Sequence, residues 1–262
     1  MATISIGINV FADQLLGQRK NQEDALYISP ASFFHQKGLL VVVSDGMGGM
    51  ARGEVYSGSA VETMRAAFEA DENLTAPLDE RLQAFYDQAR EAALKLRQSP
   101  GDADGGATVV AALVKNRMCA LLSVGDSRIC LYRGGGLIQM NREQTLGVLL
   151  DQRAAFGVIP QEVADNMPHR DSLTNHTNAE TPMECDLSTP FRLAPGDKLA
   201  LMSDGVYNTL DEDALLACLA KPGREAVTAM MQRITEAAKP KQDNATIIVL
   251  EVNMRNATRK GG

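Results

Sequence analysis

The chain has 262 residues, 45% of them hydrophobic and none of them tryptophan, and its 26 basic and 33 acidic residues give a net charge of −7. This acidic balance disfavours nucleic acid or an anionic membrane as a general partner. The four cysteines are scattered without a CxxC pair, which disfavours zinc and is typical of reduced thiols in a cytoplasmic protein. No apolar run approaches the roughly 20 residues that span a bilayer, and the N-terminus lacks the basic and apolar regions of a signal peptide.

The N-terminal part of the chain predicts strands followed by a pair of helices. Apolar periodicity gives strands over 4–11, 26–28 and 40–43 and amphipathic helices over 55–68 and 78–98. The polar stretch 17–25 separates the first two strands. It is either a solvated turn or a way of placing Glu23 and Asp24 beside another acidic cluster, and spacing alone does not decide between them.

The C-terminal part begins with three apolar runs joined by short turns, which predict a meander of antiparallel hairpins. Its predicted elements, in order, are strands over 109–115, 118–124 and 128–133, an irregular flap over 141–190, a strand over 199–202, helices over 214–220 and 224–238, a strand over 245–250 and a polar tail over 255–262. This pattern predicts one α+β domain over residues 1–262, with helices packed on antiparallel sheets.

Acidic residues lie at the ends of three of these strands. Asp45 follows the strand 40–43 and is followed by glycines, Asp204 follows the strand 199–202 in a second Ser-Asp-Gly sequence, and Asp243 precedes the strand 245–250. For Asp45 taken alone, an Asp-Gly turn that closes a hairpin is the slightly better interpretation. Three such acids in one domain favour a shared metal site.

Carboxylates without His or Cys select magnesium or manganese over zinc. Two such ions roughly 4 Å apart lower the pKa of a bridging water and direct it at phosphorus. An arginine nearby would bind phosphate oxygens. Arg19, four residues before Glu23, is the candidate by position, and a solvated surface arginine is an equal alternative. The residues alone therefore predict a two-metal hydrolase of a phosphate compound.

Six short motifs follow one another along the chain. They are Arg19-Lys20-Asn21-Gln22-Glu23-Asp24, Asp45-Gly46-Met47-Gly48-Gly49, Gly106-Ala107-Thr108, Val124-Gly125-Asp126-Ser127-Arg128, Ser203-Asp204-Gly205 and Asp243-Asn244-Ala245-Thr246. In this order, over residues 4–253, they resemble the metal-dependent serine/threonine protein phosphatases of the PPM family (type 2C), in the compact bacterial form. The resemblance implies a β-sandwich of two antiparallel sheets flanked by pairs of helices. It also implies direct attack of water on phosphoserine or phosphothreonine, without a phosphoenzyme.

The resemblance assigns the central metal ligands residue by residue. Asp45 would bridge two Mn²⁺ or Mg²⁺ ions and take part directly in catalysis, and Gly46 would offer its carbonyl oxygen. Asp204 and Asp243 would hold one of the two ions.

The same resemblance assigns four residues around these ligands. Glu23 and Asp24 would lie near the ions and contact them directly or through water. Asp126 would help to bind a third, weaker ion. Arg19 would bind the phosphate of the substrate.

The sequence departs from the family pattern at two places. Met47 stands where eukaryotic members carry a histidine that is thought to protonate the leaving group, so we expect water to take that role. Glu143-Gln144-Thr145 stands where bacterial relatives often have Asp-His-Ser at the start of the flap. The stretch Arg170-Asp171-Ser172-Leu173-Thr174 resembles the end of the flap but lacks the usual following glycine. We expect this flap, with Arg170, to shape substrate choice.

Three functions are compatible with these residues. An active Mn/Mg-dependent phosphoprotein phosphatase is favoured, acting on phosphorylated Ser/Thr proteins and on a cognate kinase in bacterial signalling, as a cytoplasmic monomer. A catalytically silent phosphoprotein-binding regulator is disfavoured because Asp45, Asp204 and Asp243 are all present. A two-metal hydrolase of small phosphate esters or nucleotides is disfavoured because neither a P-loop nor a base-stacking aromatic cluster is evident.

Overall fold

The computed structural model of the protein describes residues 4–47, 52–98, 105–179 and 184–256, with side chains described from residue 7 to residue 253. Gly48 and Gly49 of the second motif and residues 257–262 of the predicted tail lie outside the described residues. None of the described helices is both long enough and apolar enough to cross a membrane.

The described elements include those that the sequence predicts, in the predicted order, together with short strands and helices that it did not indicate, both in the flap and outside it. The strands are β1 (Ile4–Leu15), β2 (Asp24–Ile28), β3 (Leu39–Met47), β4 (Gly106–Ala107), β5 (Val109–Lys115), β6 (Met118–Val124), β7 (Arg128–Arg133), β8 (Gly136–Gln139), β9 (Asp186–Leu187), β10 (Phe191–Arg192), β11 (Lys198–Met202) and β12 (Ala245–Asn256). The helices are α1 (Gly53–Ala70), α2 (Leu78–Arg97), α3 (Leu146–Ala155), α4 (Gln161–Asp165), α5 (Asp204–Tyr207), α6 (Glu212–Leu219) and α7 (Gly223–Ala237).

Two antiparallel sheets face each other. The first has the order β1-β12-β11-β7-β8, and the second has the order β10-β6-β5-β3-β2, with β4 paired to β3 and β9 paired to β6. Val41 and Val43 of β3 pack between the sheets, whereas Leu40 and Val42 on its other face pack against α1 and α2. Helices α6 and α7 cover the outer face of the first sheet. The predicted α+β sandwich flanked by helix pairs is confirmed.

The predicted meander over 109–133 is only half right. Strands β5 and β6 pair as a hairpin, but β7 pairs with β11 and β8 in the opposite sheet. The chain changes sheet at Gly125, whose φ of +94° turns the backbone. Ile129 then enters the apolar layer between the sheets. The residues that join β6 and β7 therefore form a crossover between two sheets.

The predicted boundaries at 141–190 and 255–262 also change. The flap contains two helices that its irregular sequence did not indicate, α3 and α4, and Thr145 caps α3 by accepting a hydrogen bond from the Val148 amide at 3.4 Å. Residues 186–187 of the predicted flap pair with β6 as part of the second sheet. At the C-terminus, Arg255 and Asn256 still pair with β1, because the long edge strand β1 supplies hydrogen bonds beyond the predicted strand end.

Candidate metal and phosphate site

Asp45 lies inside β3, because the strand continues through Met47 and pairs there with β4. The Asp45 amide donates to Thr108 Oγ1 at 3.1 Å, and the Thr108 amide donates to the Asp45 carbonyl at 2.9 Å. Burial raises the pKa of Asp45 well above its usual value, and the carboxylates of Asp24 and Asp204 raise it further. Asp45 is therefore a buried acid that needs positive charge in order to ionise.

Glu23 and Asp24 lie beside Asp45, not in a solvated turn. Asp24 is opposite Asp45 in the β2–β3 register. Its Oδ2 accepts hydrogen bonds from Ser203 Oγ at 2.7 Å and Thr246 Oγ1 at 2.6 Å. Its Oδ1 is buried without a hydrogen-bond partner, and burial raises the pKa of this carboxyl. The orphaned oxygen is an observed feature that suits a cation or a cation-bound water.

Asp204 reaches the same place from the other sheet. It follows β11 as the first residue of α5, and burial and the Asp243 carboxylate raise its pKa to about 7. A Cβ on Gly205 would lie 1.9 Å from the Asn244 carbonyl oxygen. The glycine of this Ser-Asp-Gly motif is therefore required because the turn before β12 packs directly against it.

Asp243 lies in that turn and faces Arg19. The Arg19 Nη2 donates to Asp243 Oδ2 at 2.5 Å. The neighbouring Asn244 accepts a hydrogen bond from the Glu23 amide through Oδ1 at 2.8 Å. These contacts join the stretch before β2 to the turn before β12. The first and last of the six motifs therefore meet in space.

Asp126 lies in the crossover between β6 and β7. Burial raises its pKa to about 6. The Tyr207 hydroxyl donates to the Asp126 carbonyl at 3.1 Å, and the Arg128 guanidinium lies 3.7 Å from the centre of the Tyr207 ring. Asp126 is thereby held next to α5 and Asp204.

All of these acids except Asp24 line one cavity of about 380 Å³. Its described lining comprises Arg19, Glu23, Asp45, Gly46, Met47, Thr108, Asp126, Asp171, Leu173, Asp204, Asp243 and Asn244. Arg19 is the only basic side chain among them. The all-oxygen acidic set, in which burial raises the pKa of Asp45, Asp126 and Asp204, fits hard divalent cations such as Mn²⁺ or Mg²⁺.

The carboxylate groups of the cavity do not surround a common point. Among the described residues, no three His, Cys, Asp or Glu side chains form a group that could hold an ion. Asp243 is instead bonded to Arg19, and Asp24 is bonded to two hydroxyl groups. Cations in this cavity would therefore need the Asp243 side chain to turn from Arg19 and would rely on water and carbonyl ligands as well.

Gly46 is fixed in a position that leaves its backbone close to helix α1. A Cβ there would lie 2.2 Å from the Gly53 carbonyl oxygen and 2.7 Å from the Glu23 carbonyl oxygen. Its amide donates to the Glu23 carbonyl at 3.1 Å. The glycine after Asp45 thus allows β2, β3 and the start of α1 to meet at the cavity.

Arg170 lies within the flap and not among the residues that line the cavity. Its Nη2 donates to both carboxylate oxygens of Asp151, at 2.8 and 2.7 Å, and its Nη1 donates to the Ala164 carbonyl at 2.5 Å. The flap reaches the cavity through Asp171 and Leu173 instead. The sequence does not indicate a role for these two residues, because nothing in their local pattern distinguishes them from solvated residues.

Comparison with known proteins gives one consistent result. A family model described as "Protein phosphatase 2C" matches residues 16–246. The serine/threonine phosphatase stp of Listeria monocytogenes is 31% identical over 227 residues, which are 85% of this chain and 86% of that protein. The matched range 16–246 contains every candidate site residue named above.

Two solved structures have the same fold. A crystal structure of the Mycobacterium tuberculosis serine/threonine phosphatase PstP/Ppp superposes with a TM-score of 0.76 at 25% identity and covers 96% of this chain and 100% of that one. The catalytic domain of PstP in complex with two manganese ions superposes with a TM-score of 0.76 at 24% identity and covers 95% of this chain and 100% of that one.

Proposed function

This chain belongs to the protein phosphatase 2C family and is a serine/threonine protein phosphatase, and we propose that the acidic cavity is where it hydrolyses phosphoserine and phosphothreonine. One observation carries the proposal. Carboxylates from five separate segments, Glu23, Asp45, Asp126, Asp204 and Asp243, line a single cavity with one arginine. Such a set is costly to bury unless cations and a phosphate complete it.

We assign the metal ligands within this set. Asp45, the Gly46 carbonyl, Asp204 and Asp243 would hold two ions, with Asp45 shared between them. Two Mn²⁺ or Mg²⁺ ions, when bound, would neutralise these acids, polarise the phosphate and lower the pKa of an attacking water. Glu23, which lines the cavity, and Asp24, which is opposite Asp45 in the β2–β3 register, would contact the ions directly or through water.

Asp126 is assigned to a third, weaker cation. It lines the same cavity from the crossover between the sheets, and burial raises its pKa to about 6. It reaches the cavity from a different segment of the chain than Asp45, Asp204 and Asp243.

Arg19 binds the phosphate of the substrate in this proposal. Its side chain is 47% exposed and is bonded to Asp243. If Asp243 held a cation, the Arg19 guanidinium would be free to turn to the substrate, where its planar donors would match two phosphate oxygens. None of the described residues that line the cavity is a histidine, so we assign protonation of the leaving alkoxide to water.

The substrates are phosphorylated Ser/Thr proteins, and we propose a cognate Ser/Thr kinase among them. We also propose that residues 1–262 form one phosphatase domain that acts as a cytoplasmic monomer. The four cysteines are free thiols, which supports a reducing compartment.

The test is hydrolysis of a phosphothreonine peptide by metal-stripped protein with and without Mn²⁺. Asp45→Asn and Asp204→Asn are expected to lower kcat by orders of magnitude, whereas Asp213→Asn, a change at an exposed acid on α6, keeps it. A nucleotide and a small aryl phosphate are assayed in parallel. Activity that survives both active-site changes, or faster turnover of the nucleotide than of the peptide, would contradict the proposal.

A further inference from the structure

Gln144 binds both peptide groups of Gly125, the residue that precedes Asp126. The Gly125 amide donates to Gln144 Oε1 at 2.9 Å, and the Gln144 amide donates to the Gly125 carbonyl at 2.9 Å. Gln144 stands at the start of the flap, where the chain leaves the first sheet. A flap residue thus fixes the backbone that carries an active-site acid.

The same residue also holds the returning end of the flap. The Gln144 carbonyl accepts from the Thr174 amide at 2.8 Å, and its Oε1 accepts a second hydrogen bond, from Asn175 Nδ2 at 3.1 Å. Its Nε2 donates to the Glu184 carbonyl at 3.0 Å. Gln144 therefore joins the two ends of the flap, the segment before β9 and the crossover that carries Asp126.

Asp126 has little freedom to move independently of this junction. A Cβ on Gly125 would lie 2.7 Å from Thr108 Cγ2, so the turn is packed against Thr108, the residue before β5. The Tyr207 hydroxyl binds the Asp126 carbonyl. With the backbone held before and after the residue, a shift of Gln144 moves the Asp126 carboxylate.

The flap end held by Gln144 reaches the catalytic cavity. Thr145 bridges to Leu173, and the Leu146 amide donates to the Ser172 carbonyl at 2.8 Å. Leu173 and Asp171 line the cavity. The contacts from cavity lining through Gln144 to Asp126 are therefore continuous.

We propose that Gln144 is a positioning residue that couples the flap to Asp126, so that a cation at Asp126 and the cavity-lining position of Asp171 and Leu173 stabilise each other. The inference rests on the proposed function, which assigns Asp126 to the weakest cation. Coupling of this kind is reciprocal: whatever the flap adds to cation affinity, the cation adds to the stability of the flap.

The first test measures Mn²⁺ binding to metal-stripped protein by the loss of the free Mn²⁺ electron paramagnetic resonance signal. Gln144→Ala is expected to weaken the weakest binding step roughly 5- to 20-fold, as the loss of one or two net hydrogen bonds predicts, and to leave the tighter steps unchanged. Asp126→Asn is expected to abolish that weakest step. The double variant is expected to match Asp126→Asn, because both changes act on one site.

The second test measures hydrogen–deuterium exchange of flap residues 142–175 in the presence of rising Mn²⁺. Saturation of the weakest step is expected to slow exchange in the wild type and in Gln161→Ala, whose glutamine binds only within α4, but not in Gln144→Ala. If the alanine variant lacks a cooperative thermal transition, Gln144→Asn, whose amide is one methylene too short to reach Gly125, serves in its place.

The outcomes separate this inference from the proposed function. The coupling is contradicted if Gln144→Ala leaves Mn²⁺ binding unchanged or weakens every binding step equally. It is also contradicted if the effects of the two changes add in the double variant, or if the wild type has no distinct weak binding step. The proposed function fails instead if Asp45→Asn retains full activity, a result that does not involve Gln144.

Discussion

At the scale of single residues, buried hydroxyl groups hold the acids of the cavity in place. Ser203 and Thr246 donate to Asp24, and Thr108 Oγ1 accepts from the Asp45 amide while it lies 2.7 Å from Ser127 Oγ. Each hydroxyl therefore joins two strands or two motifs. This role explains why Thr108 follows the glycine and alanine of the third motif.

Thr108→Val should destabilise the protein and slow catalysis. Valine keeps the shape of threonine but leaves the Asp45 amide without its acceptor, and an unsatisfied buried donor costs about 1–3 kcal/mol. Urea denaturation measures the free energy of unfolding, and peptide hydrolysis measures kcat. Thr108→Ser keeps the hydroxyl and is expected to retain most of the activity. Equal loss in the valine and serine variants would show that the methyl group, not the hydroxyl, matters.

Sequence reasoning at this scale found the acids but not their supports. Asp45, Asp204 and Asp243 stand out because a carboxylate at the end of an apolar strand has no local purpose. Ser203 and Thr246 give no such signal, since a hydroxyl at a strand end is common and its partner, Asp24, is 179 and 222 positions away. Their function becomes visible only when both sheets are assembled.

At the scale of elements, the start of α1 packs against the end of β3 at two glycines. A Cβ on Gly46 would lie 2.2 Å from the Gly53 carbonyl oxygen, whereas a Cβ on Gly58, one turn further along α1, would meet nothing within 4 Å. Gly46 and Gly58 therefore differ in the space that is available for a side chain. Only the first is required by a close approach of two backbones.

Gly46→Ala and Gly58→Ala should have opposite effects on stability. The first forces β3 and α1 apart and is expected to cost about 1–3 kcal/mol or more, as overpacking does. The second replaces glycine in a helix interior and is expected to stabilise by about 0.5–1 kcal/mol. Thermal denaturation of both variants gives the comparison. Destabilisation by Gly58→Ala, or tolerance of Gly46→Ala, would mean that the helix lies differently.

The flap is attached to the body by polar contacts, which makes it the element most ready to open locally. Arg170 holds α3 to α4 through Asp151 and the Ala164 carbonyl. Phe156 and Val158 are 85% and 68% exposed, so this segment buries few of its large apolar side chains. Segments with few buried apolar contacts open below the global free energy of unfolding.

Arg170→Met should therefore speed hydrogen exchange severalfold in α3 and α4 and leave β3 and β12 unchanged. Methionine keeps much of the length of arginine but removes the fork that binds Asp151. Native-state exchange measured by mass spectrometry resolves these segments. As a control, Arg65→Met removes an equally exposed helical ion pair on α1 and should leave the flap unaffected. Uniform acceleration in every element would instead indicate global destabilisation.

The helices that cover a sheet are easier to predict from the sequence than the flap helices and the connection between β6 and β7. Helices α1, α2, α6 and α7 have one apolar face and cover a sheet, so their periodicity is clear. Helices α3 and α4 lie in the flap, where burial does not impose such a face, and they were missed. The residues around Gly125 suit a hairpin turn as well as a crossover between sheets, so the sequence predicts a hairpin there. Only the packing of Ile129 between the sheets distinguishes the crossover from the hairpin.

At the scale of the whole molecule, the cavity concentrates acids in a chain that already carries a net charge of −7. The raised pKa values of Asp45, Asp126 and Asp204 mean that the metal-free fold holds protons that the unfolded chain would release. A bound divalent cation would replace these protons, because it would stabilise the ionised carboxylates directly. Metal binding and proton release are therefore linked.

The metal-free protein should lose stability as pH rises from about 4 towards 7. The pKa of Asp126 is raised to about 6 and that of Asp204 to about 7, so their contribution is fully present below the unfolded pKa of about 3.9 and is lost as pH rises through the folded values. The lowered pKa of the half-buried His176 acts in the opposite direction. Because Asp204→Asn leaves His176 in place, the difference between this variant and the wild type isolates the Asp204 contribution.

Thermal denaturation of metal-stripped protein between pH 5 and pH 7.5 measures this effect, since each kcal/mol moves Tm by roughly 2–4 °C in a chain of this size. Asp204→Asn is expected to flatten the fall in Tm, and Asp213→Asn to leave it as in the wild type. Saturating Mn²⁺ is expected to raise Tm most at pH 7.5, where the ionised carboxylates of the metal-stripped protein repel each other most strongly. A Tm of metal-stripped protein that climbs with pH as steeply in the wild type as in Asp204→Asn would show that the cavity acids are ionised without cations, and the proposed metal set would then lose its electrostatic basis.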